Sequence, residues 1–128
     1  MNVLLDTHAF LWWITDSAHL SASARRILSA SANPLFWSAA SAWEVGIKHA
    51  FGRLPLPRGP GDYLPRHLEL NAVARLPIAE AHGYRAAALP PHHADPFDRM
   101  LVAQAQIEDL VVLSADPLIR QYDVEVVW

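Results

Sequence analysis

The stretch PFDRMLVAQAQIEDLVVLSAD, Pro96 to Asp116, decides the fold. Its first part repeats apolar residues at helical spacing, with Leu101, Val102 and Ala105 on one face. Its last part, LVVLS, is an unbroken apolar run too short for a second helix. Such a run reads as a strand covered on both faces. An acid, Asp116, follows it directly. The same alternation recurs along the chain. Strands are expected at NVLL (2–5), PLFWS (34–38), AVARL (72–76), LVVLS (110–114) and VEVVW (124–128). Between them lie THAFLWWI, then SASARRILSAS with Ser21 as its cap, then AASAWEVGIKHAF closed by Gly52. DYLPRHLEL is expected to settle into helix after Pro65; AEAHGYRAAAL and a turn at DPLIRQY complete the set. The pattern predicts an α/β protein: a three-layer α/β/α sandwich around a parallel sheet, in one domain over residues 1–128.

Composition narrows the function. Hydrophobic residues make up 52% of the chain, enough for a packed core. There is no cysteine, so disulfides and thiolate metal sites are excluded, and a reducing, cytoplasmic setting is expected. The N-terminus lacks a basic region before its apolar run, and no run is long enough for a membrane span. The net charge of −3 gives no broad basic footprint for nucleic acid. A nuclease stays possible, because bound divalent cations reverse the local field.

In folds of this kind ligands bind beyond the carboxyl ends of the strands, where strand order reverses. Asp6 follows the first strand and Asp116 the fourth; Asp98 opens the helix quoted above, and Glu44 lies in the helix after PLFWS. Each has a plainer reading. Asp95-Pro96 is an N-cap with proline at N1, Asp116-Pro117 repeats it, and Asp6 can cap the helix from Thr7. Asp98 and Glu44 are harder to dismiss. Asp98 extends the stripe of Leu101, Val102 and Ala105, and Glu44 that of Ala40, Ile47 and Phe51. A carboxylate there must be paired, hydrogen-bonded or metal-bound. Several carboxylates at one sheet end repel one another unless they share a cation. All-oxygen ligation suits Mg²⁺ or Mn²⁺ rather than zinc, and phosphodiester hydrolysis is the natural chemistry.

Three stretches resemble one family: LLDTHAFLW (Leu4–Trp12), SAWEVGIKHAFGRLPLP (Ser41–Pro57) and HHADPFDRMLVAQA (His92–Ala105). Together they resemble PIN-domain ribonucleases, in particular the toxins of VapBC-type toxin–antitoxin pairs. The resemblance implies metal-dependent RNA cleavage, a cognate antitoxin and a homodimer. It places the metal-binding acids at Asp6, Glu44 and Asp98, with Asp116 as the fourth, and gives Asp95 a structural role. Thr7 and Ser114 resemble hydroxyl residues that support the carboxylates, and His93 is expected to steady the loop before the helix.

Other residues carry softer expectations. His8 and His92, like His93, are candidates for a general base or a transition-metal ligand. His19, His49, His67 and His82 are read as surface residues. Trp37 and Trp43 are read as core, and one of Trp12 and Trp13 as facing a groove or interface. Arg25, Arg26, Lys48, Arg53 and Arg99 are candidate phosphate contacts, Lys48 foremost because it lies one turn beyond Glu44. The loop RLPLPRGPG and the helix behind it are a candidate antitoxin groove. Two other functions compete: a phosphomonoesterase using Asp6 as nucleophile, though His8 stands where a second acid would be favoured, and a non-catalytic module whose acids are only caps.

Overall fold

The computed structural model describes residues 1–128. Five strands form one sheet: β1 (Val3–Leu5), β2 (Leu35–Ser38), β3 (Val73–Leu76), β4 (Val111–Leu113) and β5 (Val126–Val127). All pair in parallel, in the order β3-β2-β1-β4-β5. Six helices connect them: α1 (Thr7–Ile14), α2 (Ala22–Ser29), α3 (Ala39–Ala50), α4 (Pro60–Leu70), α5 (Glu80–Ala88) and α6 (Pro96–Glu108). A 3₁₀ turn at Ile119–Gln121 takes the place of the expected helical turn.

Strand residues alternate between two cores. Val3 and Leu5 pack with Phe10, Leu28, Val45 and Leu64 of α1 to α4. Leu4 and Val112 pack with Ala86, Leu101 and Val102 of α5 and α6. Helices thus cover both faces, as the unbroken apolar strands require. The chain winds outward from β1 to β3, then crosses to β4 on the other side of β1. The reversal of strand order therefore lies between β1 and β4, and their C-terminal ends carry Asp6 and Ser114.

Local capping follows the sequence closely. Ser21 accepts from Ala24 N–H at 2.9 Å, and Asp95 from Phe97 N–H at 2.8 Å. Gly52 sits at φ +70° just past α3, where only glycine is unstrained. One boundary differs: α4 begins at Pro60, not after Pro65. Pro60 is at the first helical position, where a missing N–H costs nothing; Pro65 is accommodated inside the helix. No helix is long and apolar enough to cross a membrane.

Candidate metal centre

Asp6 occupies the N-cap position of α1, yet its side chain caps nothing. Its Oδ2 instead accepts from Ser114 Oγ at 2.6 Å, and Ser114 Oγ accepts from the Asp116 N–H at 3.0 Å. Serine thus links the ends of β1 and β4 across the switch point. Glu44, with a side chain 3% exposed, is held from two sides. Oε1 accepts from Thr7 Oγ1 at 2.7 Å, and Oε2 from Lys48 Nζ at 2.5 Å. Thr7 also hydrogen-bonds the buried Ser41 hydroxyl at 2.7 Å.

The opposite wall comes from α6 and the segment after β4. Asp98 shares the stripe of Leu101, Val102 and Ala105, all buried. Asp95 spends one oxygen on the helix N-terminus, accepting from Phe97 N–H at 2.8 Å and Asp98 N–H at 3.4 Å. Asp116 Oδ1 accepts from Leu118 N–H at 2.9 Å, and its Oδ2 from His93 Nε2 at 2.8 Å. The same Nε2 lies 3.0 Å from Asp98 Oδ2.

Asp6, Glu44, Asp95, Asp98 and Asp116 line one hollow of about 380 Å³, together with His8, Trp12 and Lys48. Burial, and then the charges of Asp6, Asp95, Glu44 and Asp116, push the Asp98 carboxyl up to about 8. Burial also raises Asp6, against the Ser114 hydrogen bond. For Lys48 partial burial pulls downward, but the hydrogen bond and charge of Glu44, with the fields of Asp95 and Asp98, raise it overall. Asp98 is therefore the acid whose charge is least supported, and a cation in the hollow would relieve it most directly. The donors facing the hollow are mainly carboxylate oxygens, which fits a hard divalent ion.

The acids converge on one hollow but are not equally close. His93, Asp98 and Asp116 each place a ligand atom within 4.8 Å of the other two; no trio containing Asp6 or Glu44 is that compact. Other expectations need correction. Trp43 is 65% exposed, meeting Phe97 edge to face, rather than core; Trp37 is buried. Phe51 is exposed and does not continue the Glu44 stripe. His82 is buried: its Nδ1 accepts from Ala79 N–H at 2.9 Å and its Nε2 meets Glu108 at 3.1 Å. Arg99 is spent on the end of α5 and the loop after it, donating to the carbonyls of Ala86, Leu89 and Pro90 at 2.9 to 3.0 Å. That leaves its guanidinium committed rather than free for phosphate. Arg25 pairs with Asp16 at 2.7 Å, while Arg26 and Arg53 are exposed. Trp13 packs on Phe10, and Trp12 lines the hollow. Ser41 and the Lys48–Glu44 pair are further supports of the wall that carries Glu44; the spacing of four residues between Glu44 and Lys48 is the signal in the sequence for the pair.

Fold and site together define an α/β/α sandwich with a carboxylate centre at its switch point. The chain belongs to the PIN domain family, whose model matches residues 3–125. It is 34% identical over 58 residues to Ribonuclease VapC16 of Mycobacterium tuberculosis (strain ATCC 25618 / H37Rv), covering 45% of this chain. The match spans only 41% of that relative's length. Among solved structures, VapBC2 from Rickettsia felis bound to a DNA fragment from its promoter superposes with a TM-score of 0.73 at 12% identity, over 99% of this chain and 98% of the other. VapBC-1 from nontypeable Haemophilus influenzae gives 0.66 at 17% identity, over 99% and 97%. At these identities the likeness is one of fold.

Proposed function

We propose that the protein is a Mg²⁺- or Mn²⁺-dependent endoribonuclease that acts as the toxin of a toxin–antitoxin pair. The observation that carries this reading is the gathering of Asp6, Glu44, Asp98 and Asp116 on one hollow at the β1/β4 switch point. Membership of the PIN family, the ribonuclease relative and the VapBC neighbours support it. Asp6, Glu44 and Asp98 would hold the ion, with Asp116 as the fourth acid. A bound divalent ion supplies Lewis-acid polarisation of a phosphate and a water of lowered pKa.

The remaining residues prepare those acids. Ser114 and Thr7 orient Asp6 and Glu44 by donating to them. Lys48 balances Glu44 at the mouth, where it can also meet a phosphate oxygen. Arg53 is exposed just beyond α3 and is a second backbone contact. A separate hollow of about 500 Å³, lined by Leu64, Pro65, Leu68 and Leu76, would receive apolar side chains of an antitoxin. From the family resemblance we also propose a single PIN domain that works as a homodimer.

The test is RNA cleavage by the purified protein with Mg²⁺ or Mn²⁺, with a chelator, and with Asp98→Asn. Cleavage that needs the metal and disappears in the variant supports the reading. Metal-independent cleavage, or none of any RNA by protein freed from its antitoxin, contradicts it.

A further inference from the structure

His93, Asp98 and Asp116 form the tightest group of metal-capable side chains in the molecule. Proximity alone would nominate a mixed nitrogen and oxygen site, favouring transition metals over Mg²⁺. The hydrogen bonds of the imidazole argue otherwise. His93 Nδ1 accepts the backbone N–H of Asp95 at 3.2 Å. A ring nitrogen that accepts carries no proton, so the proton of the neutral ring lies on Nε2. Nε2–H then donates to Asp116 Oδ2 at 2.8 Å, with Asp98 Oδ2 beside it at 3.0 Å.

Ligation through Nε2 would need its lone pair. The proton would move to Nδ1 and face the Asp95 N–H, setting two donors against each other. Rotation is opposed because the loop is anchored. His93 N–H donates to Tyr122 Oη at 2.8 Å, Tyr122 Oη donates to Pro90 O at 2.9 Å, and Asp95 is fixed by capping α6. From this geometry we infer that His93 is a positioning residue and not a metal ligand. Its Nε2–H holds Asp116 in place beside Asp98 and leaves an all-oxygen centre for a hard cation. The role rests on the metal-dependent reading above; the tautomer does not.

Two measurements test it. Histidine-ring ¹⁵N NMR of the wild-type protein reads the tautomer first without metal and then saturated with Mg²⁺. The expected pattern is an unprotonated Nδ1 and a protonated Nε2 in both states. A protonated Nδ1 without metal, or loss of the Nε2 proton on binding, overturns the inference. Calorimetric titration of His93→Ala should show Mg²⁺ and Mn²⁺ weakened alike, by about 10- to 100-fold as for other outer supports of a metal centre, with their ratio kept. Loss of Mn²⁺ binding with Mg²⁺ spared would make His93 a ligand. If the wild type binds neither ion while Nε2 is protonated, the proposed function fails along with His93's role toward the ion, and the tautomer stands.

Discussion

The two walls of the acidic hollow are built on opposite principles. On the α1–α3 wall, Asp6 and Glu44 are buried acids with short hydrogen bonds from Ser114, Thr7 and Lys48. On the α6 wall, Asp98 has the His93 imidazole at 3.0 Å as a close partner and is surrounded by like charge. The first wall is fixed by hydrogen bonds before any ion binds; the second is left short of positive charge. A metal centre needs both: one side fixed, so that geometry is set in advance, and one side left short of positive charge, so that binding is favoured.

The largest effect that can break this contrast is at Asp98. Asp98→Asn should abolish metal-dependent cleavage, yet leave the metal-free protein as stable or more stable in thermal unfolding at pH 7. A large loss of stability would place Asp98 among the structural acids instead. The same group sets a pH dependence. Its folded-state value, about 8, lies above its ordinary value of 3.8. Between those limits the folded state holds a proton that the unfolded state has released, so stability falls as pH rises, by at most about 1.4 kcal/mol per pH unit from this group. Unfolding without metal across pH 4 to 8 should show that slope, and Asp98→Asn should flatten it.

On the fixed wall, Lys48→Met should destabilise, because Glu44 is left buried and short of a partner. The expected cost is about 1–3 kcal/mol, checked by chemical denaturation; no loss would mean that water replaces the amine. Ser114→Ala should weaken the divalent ion by about 10- to 100-fold in calorimetry, through Asp6. Arg99→Lys separates anchor from phosphate contact. It should lower the melting temperature and leave the salt dependence of RNA binding unchanged, since its guanidinium is held by loop carbonyls. The smallest effect is at Trp43, where exposure predicts a stability change within about 0.5 kcal/mol on substitution by alanine.

The fold was legible because its signals are local and repeat: unbroken apolar strands, capped helices, and an acid directly after β1. Asp98 was legible because periodicity tied it to Leu101 and Val102. What escaped depends on segments that meet only in three dimensions. Arg99 turns to carbonyls of Ala86 and Leu89, which no pattern around residue 99 reveals. His82 is buried with its two ring nitrogens engaged by the Ala79 N–H and by Glu108 of α6, and Trp43 is exposed because its helix turns Glu44, its neighbour, inward. The start of α4 is signalled by glycine then proline at residues 59 and 60, a helix entry, but Pro65 carries the competing signal of a helix breaker.

If the hollow works as a metal centre, the two walls share one cation. Anomalous diffraction from a crystal soaked in Mn²⁺ tests it most directly. A peak is expected in the hollow within ligating distance, about 2.0–2.4 Å, of carboxylate oxygens from both Asp6 and Asp98, with His93 Nε2 outside the coordination shell. A hollow without a peak at saturating Mn²⁺, or an ion bound by one wall alone, would contradict it.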